Sequence, residues 1–301
     1  MQMVESMHVM FRLIDSAFKL MSCIPFKKAQ LAGKVLGAIA YHIPMSRKYV
    51  ALENIRKSFP HMTEAAAKQL LRHVFIHFGR VFLEIPHIRK LSRENLFDYV
   101  DFEGEEQLKN AFSKGKGVLI LTAHFGNWEL MCAAASLRVG RVAVVARPLD
   151  FVPMDRVING LRSRFGAVII PHKAAARRII TTLRKNIPIG ILLDQKVDWY
   201  EGAFVPFFGR WACTNKGLAV LALRTGAPVV PAFSIRQDDG RYRITFEKEV
   251  ELHRTGDKRG DVEDNTEHYT RIIERYIRKN PDHWFWFHKR WNTKNYCELE
   301  I

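Results

Sequence analysis

Apolar and polar positions keep a helical period over the first 94 or so residues of this 301-residue chain and then change character. Met3, Met7, Met10, Phe11, Ile14, Phe18 and Met21 recur on one side of a helical wheel, with Glu5, His8, Arg12, Asp15 and Lys19 elsewhere on it. The stretches RKYVALENIRKSF and EAAAKQLLRHVFIHFGRVFLEI keep that period, with Thr63 the expected N-cap and Pro60 and Pro86 as breaks. Beyond residue 100, short apolar runs alternate with helical stretches. Strands are expected at 118–123, 142–146, 167–170, 189–193 and 228–235, and helices at 128–139, 153–165, 174–186 and 215–225. Gly166 suits the end of its helix. Residues 197–213 read as a loop rich in glycine and aromatics, 241–252 as an edge strand, and 263–279 as a charged amphipathic helix. The chain closes on HWFWFHKRW. This order implies an α/β fold, a mixed but largely parallel sheet flanked by helices, preceded by a helical segment. The expected division is 1–100 for a helical, membrane-associating and packing segment, and 101–301 for the α/β domain with a C-terminal aromatic-basic strap.

Composition adds a partner of opposite charge. A hydrophobic content of 48% fits a folded chain, and a formal charge of +16 calls for an anionic surface, carrier or substrate. Lysine and arginine are spread over most segments and no nucleic-acid-binding module is evident, so nucleic acid is not expected as a partner. The N-terminal 45 residues are apolar but interrupted. Arg12, Asp15, Lys19, Lys27, Lys28 and Lys34 make a poor spanning helix, since each central charge costs about 2.5–3.5 kcal/mol. Glu5 and the missing cleavage signature also argue against a signal peptide. The stripe is therefore expected to lie on a membrane or on the protein's own core, with the basic cluster around Pro25 favouring an anionic leaflet.

The cysteines Cys23, Cys132, Cys213 and Cys297 are widely spaced, which suggests neither disulfides nor a zinc knuckle. Cys132 is expected as a small apolar residue on a buried helix face. His73 and His77 stand four apart but lack a clear third ligand, so no metal and no cofactor is expected.

Candidate chemistry gathers in GVLILTAHFGNWELM, residues 117–131, where a short strand gives way to a helix. Open α/β sheets place reactive side chains at such carboxyl ends. The glycines of Gly115-Lys-Gly117 precede the strand, which excludes a dinucleotide loop, and there is no G-x-S-x-G, Walker lysine or H-E-x-x-H. His124 and Glu129 remain. An imidazole can take the proton of an attacking hydroxyl, and a carboxylate on its far nitrogen holds the tautomer. A five-residue offset on a regular helix separates two side chains by about 140°, so the pair can meet only if the chain turns at Gly126 and Asn127. Arg147 closes one strand and Asp194 another on the same sheet edge, and a guanidinium there suits a phosphate. Phe204, Phe207, Phe208 and Trp211 could wall an acyl-chain groove or simply pack their loop.

HFGNWE, together with VARPLD, INGLRSRFGAVIIP, LLDQKVDWYEGAFVPFFGRWACTNKGLAVLALRTGAPVVPAF and RKYVALENIRKSFP, resembles the late acyltransferases of lipid A biosynthesis, within the glycerolphosphate and lysophospholipid acyltransferase superfamily. The resemblance covers nearly the whole chain. It implies a glycerolphosphate acyltransferase-like fold and a bacterial enzyme on the cytoplasmic side of the inner membrane, bound peripherally or shallowly. Such an enzyme moves a fatty acyl group from acyl carrier protein to a phosphorylated glycolipid, a lipid A precursor. Another glycolipid or lysophospholipid acceptor, with acyl-coenzyme A as donor, is the alternative. The implied catalytic pair is His124 and Glu129, and the implied substrate-binding residues are Asn127, Arg147, Arg164, Asp194 and Gln195. Asp194 and Gln195 stand where the wider superfamily has a Pro-Glu-Gly block, a departure that leaves their role open.

Overall fold

The structure is a computed structural model that describes residues 2–173 and 175–292. Four helices open the chain: α1 (Gln2–Ser22), α2 (Phe26–Ala40), α3 (Ser46–Ser58) and α4 (Glu64–Glu84). The α/β part follows as β1 (Val100–Glu103), α5 (Glu105–Phe112), β2 (Val118–Thr122), α6 (Trp128–Val139), β3 (Ala143–Ala146), α7 (Val152–Ser163), β4 (Val168–Pro171), α8 (Ala175–Leu183) and β5 (Pro188–Leu192). Then come β6 (Gly202–Phe207), β7 (Arg210–Asn215), α9 (Gly217–Thr225), β8 (Val229–Arg236), β9 (Tyr242–Phe246) and α10 (Lys258–Lys279).

Among the described residues seven strands form one sheet in the order β1-β9-β8-β2-β5-β3-β4, parallel throughout except where β9 runs antiparallel to β8. This is the mixed, largely parallel sheet the alternation predicts. β2 lies near its middle, and its side chains alternate between two cores as a strand's must. Leu119 and Leu121 join a cluster with Leu71 and Val74 of α4 and Trp284 of the C-terminal segment. Val118 joins Phe18 of α1, Leu130 of α6 and Leu161 of α7 on the other face. Thr63 caps α4 as expected, its hydroxyl accepting from the Ala66 N–H at 3.2 Å.

Two local expectations change. Residues 241–252 do not form an edge strand: β9 ends at Phe246 and lies between β1 and β8, while β1 takes the edge. Four residues of β1, Val-Asp-Phe-Glu, carry too short a pattern to register beforehand. The segment expected as a loop at 197–213 contains the hairpin β6–β7. Its turn puts Phe208 at φ 53° and Gly209 at φ 68°, the positive values a two-residue hairpin turn needs. Phenylalanine is an unusual residue for the first of these, and its N–H is held at 2.6 Å by the Glu274 carboxylate.

The helices α2 and α4 approach backbone to backbone. A Cβ on Gly37 would lie 2.2 Å from the Phe75 carbonyl oxygen, and one on Gly79 would lie 2.4 Å from that of Gly33. With its glycine face against α4, α2 turns Leu31, Val35 and Ile39 outward, and Val35 is 52% exposed. α1 divides the same way. Phe11, Ile14, Phe18 and Met21 pack inward, whereas Val9, Leu13 and Leu20 face out, Leu13 at 64% exposure. Met3 and Cys297 lie outside the described side chains. Among the described residues no helix is long and apolar enough to cross a membrane.

Candidate active site

β2 and β5 run parallel with Thr122 opposite Leu192, and the Leu193 N–H donates to the Thr122 carbonyl at 3.0 Å. Two residues beyond that register stand His124 and Asp194. Their side chains meet, Nδ1 to Oδ1, at 2.9 Å. Asp194 is buried, and its second oxygen accepts from the indole N–H of Trp284 at 2.8 Å. Burial alone would raise the carboxyl's pKa, but the neighbouring His124 charge and the hydrogen bonds from His124 and Trp284 outweigh it and bring the pKa to about 2. An ionised carboxylate only accepts, so Nδ1 carries the proton shared with Asp194, and Nε2 is the nitrogen that offers a lone pair whenever the ring is neutral. The Gln195 side-chain amide sits 3.3 Å from Nε2 and can donate to it. The His124 side chain is 24% exposed, open enough to meet a substrate.

The closing segment builds the other wall. The Gly126 N–H donates to the His283 carbonyl, and the Phe285 N–H to the His124 carbonyl at 3.0 Å, so the strap pairs like a short strand with the turn after β2. Gly126 has φ 61°, and a Cβ there would lie 1.7 Å from the Ser234 carbonyl oxygen, so the corner requires glycine. Trp284, Trp286 and Arg290 are fully buried, which makes this segment a packed strap rather than an exposed aromatic-basic contact. Arg290 donates to the Cys213 carbonyl at 2.8 Å and to the Thr214 hydroxyl. Burial lowers its pKa to about 10, partly offset by the Asp194 charge.

Glu129 faces a different partner from the one expected. Arg162 on α7 grips it with both arms, Nε to Oε2 at 2.7 Å and an end nitrogen to Oε1 at 2.5 Å. The turn at Gly126 and Asn127 starts α6 so that its first turn looks towards α7, and the carboxylate on the His124 ring is Asp194. Trp128 links the two pairs. Its indole N–H donates to Glu129 at 3.0 Å while its ring stands edge-on to the His124 imidazole, 5.1 Å between centroids. The Cys132 thiol, beside this pair, is pushed up to about 12 by burial and by the Glu129 charge, so it stays a protonated apolar residue.

Other expected residues disperse. Asn127 is fully buried with both ends of its amide engaged: the oxygen caps α6 by accepting from the Leu130 N–H at 3.0 Å, and the nitrogen donates to Glu84 at 3.1 Å. It therefore holds the corner from a fully buried position. Glu84, fully buried, also accepts from Gln30 at 2.9 Å and Tyr242 at 2.7 Å and pairs with Arg236 at 2.6 Å. Arg147 is 72% exposed and pairs with Asp150 at 3.0 Å. Arg164 is exposed beside α1, on the side of α7 away from Glu129. His77 packs against His283, 4.2 Å between tilted rings, rather than joining His73, and burial, then the His283 and Arg236 charges, hold its pKa well below the ordinary histidine value. Of the loop aromatics, Phe207 and Phe208 are buried against Trp284, Trp286 and Trp291, so they pack the hairpin down and do not wall a groove.

Arg162 and Trp284 were not legible as site residues. Arg162 lies in INGLRSRFG two positions before Arg164, and Trp284 sits ninety residues from its carboxylate.

The family model described as bacterial lipid A biosynthesis acyltransferase matches residues 7–293. A lipid A biosynthesis acyltransferase of Haemophilus influenzae is 24% identical over 271 residues, covering 89% of this chain and 82% of that protein. A lipid A biosynthesis palmitoleoyltransferase of Escherichia coli K12 is 24% identical over 280 residues, covering 92% and 89%. The crystal structure of the 1-acyl-sn-glycerophosphate acyltransferase from Thermotoga maritima superposes with a TM-score of 0.39 at 14% identity, over 82% of this chain and 97% of that one.

Proposed function

This chain belongs to the bacterial lipid A biosynthesis acyltransferase family, and from that premise we propose that it transfers a fatty acyl group from acyl carrier protein to a hydroxyl of a phosphorylated lipid A precursor, with His124 as the general base. The observation that supports this most is the Nδ1 hydrogen bond of His124 to a buried, ionised Asp194, which leaves Nε2 as the basic atom at the sheet's open edge.

The reaction follows from those atoms. An acceptor hydroxyl displaces the Gln195 amide at Nε2, gives its proton to the ring and attacks the thioester carbonyl. The C–O bond forms, the C–S bond breaks, and the imidazolium returns the proton to the departing thiolate. Asp194 stabilises the imidazolium while it exists and fixes which nitrogen works. No acyl-enzyme is required. Glu129 belongs to the machinery through Trp128: its pairing with Arg162 holds the indole that seats the His124 ring.

The outward apolar positions of α1 and α2, flanked by Lys19, Lys27, Lys28 and Lys34, support peripheral binding to an anionic membrane, on the cytoplasmic side of the inner membrane. The same basic excess suits an acidic carrier protein. The test offers the purified chain acyl carrier protein and coenzyme A thioesters against a Kdo-bearing lipid A precursor, a lysophospholipid and a second glycolipid, with mass spectrometry of the products. The expected product is the acylated precursor, made faster from the carrier protein. A preference for another acceptor, or for coenzyme A, would replace this assignment.

A further inference from the structure

A cleft of about 150 Å3 lies between α1 and α7, outside the His124 corner. Among the described residues Arg89, Arg156 and Arg164 line it, with Asp15 the one carboxylate on its wall, so two positive charges are in excess there. Asp15 is already shared between Arg89 and Lys19, the latter at 3.2 Å. The Arg89 Nε is buried and lacks a hydrogen-bond partner. That nitrogen is closed to solvent, so the donors open to a ligand in the cleft are those of the exposed Arg156 and Arg164. Gly160 lies on the cleft wall, and a Cβ built there would meet nothing within 4 Å, so there is room.

The surroundings identify the kind of anion. On α1, Val9, Leu13 and Leu20 point outward, and at the start of α7 Phe151 and Val152 are exposed. Apolar side chains beside a cluster of arginines match a bilayer surface, with acyl chains against the former and phosphates against the latter. Guanidinium groups bind phosphate bidentately. From this we infer that the α1–α7 cleft is a binding site for the phosphate of a lipid headgroup, held by Arg156 and Arg164. The inference rests on the membrane-associated reading above and adds where a headgroup is held. The phosphate can come from a bilayer phospholipid or from the acceptor lipid itself.

The test uses the full chain and vesicles of phosphatidylcholine with and without phosphatidylglycerol. Two variants address the cleft, Arg156→Gln/Arg164→Gln and Gly160→Glu, the second placing a carboxylate in open space. Arg177→Gln/Arg178→Gln on α8 removes the same charge from an exposed surface elsewhere. Each arginine near an anionic surface contributes enough that both cleft variants are expected to bind phosphatidylglycerol vesicles about tenfold more weakly, with the α8 control much less affected. A second arm measures KM in detergent for acceptors with and without their phosphate. A rise confined to the phosphorylated acceptor assigns the site to the acceptor's phosphate. Weaker vesicle binding with an unchanged KM assigns it to bilayer lipid. Cleft variants that match wild type in both arms, or that weaken binding no more than the α8 control, would overturn the inference. A wild-type chain that acylates none of the acceptors would count against the proposed function, while the vesicle arm would still decide the site.

Discussion

His124 and Asp194 stand two residues beyond positions paired across parallel strands, Thr122 of β2 and Leu192 of β5, and the strand register brings Nδ1 within 2.9 Å of Oδ1. The contact is built by the sheet rather than by the helix after His124. Replacing Asp194 by asparagine keeps the size of the side chain but lets the ring take the wrong tautomer. The expected result is a fall in kcat of about a thousandfold or more with KM little changed, measured on chain whose circular dichroism matches wild type.

The same carboxylate sets an acid limit to stability. Its folded pKa, about 2, lies below the ordinary aspartate value of 3.8, so it stabilises the fold above about pH 4. That contribution is lost as pH falls from about 4 towards 2. Urea unfolding of wild type and Asp194→Asn should therefore show a stability difference near neutral pH that narrows through this window; a difference independent of pH would contradict it.

Glu129 and Arg162 form a mostly buried pair, and removing one partner leaves the other charge uncompensated. Glu129→Ala is expected to cost about 3–5 kcal/mol in urea unfolding, with Glu129→Ala/Arg162→Met recovering part of it. Activity should fall in both, because Trp128 loses its anchor beside His124.

Gly126 tolerates no side chain. With φ at 61° and a Cβ position 1.7 Å from the Ser234 carbonyl oxygen, Gly126→Ala should destabilise the chain by more than about 2 kcal/mol, read as a lowered thermal midpoint and poor soluble yield.

Leu13→Glu/Val35→Glu places charges on the outward apolar positions of α1 and α2. Both sites are exposed, so the thermal midpoint should stay within a few degrees while flotation with anionic vesicles falls several-fold. Unchanged flotation would remove these helices from the membrane contact.

What was legible beforehand follows the range of each signal. The strand expected at 118–123 and the helix expected at 128–139 follow from local period and from the Gly and Asn between them, and the structure has β2 at Val118–Thr122 and α6 at Trp128–Val139. His124 at the end of that strand was legible for the same reason. Its partner was not: a five-residue offset pointed to Glu129, whereas the pairing of β2 with β5 is a contact over seventy residues that no local period encodes. Arg162 stayed hidden because three arginines crowd 156–164 and only the packing of α6 on α7 selects one for Glu129. The hairpin at 202–215 stayed hidden because Phe208 occupies a turn position where glycine, asparagine or aspartate is the usual sign.

The central claim, that the His124 Nε2 takes the acceptor's proton, is tested most directly by kcat for His124→Ala with the acyl carrier protein thioester and the lipid A precursor that wild type uses. The account predicts a loss of about 100- to 10,000-fold in a protein whose thermal midpoint is close to wild type. A folded His124→Ala that keeps near wild-type transfer would contradict it.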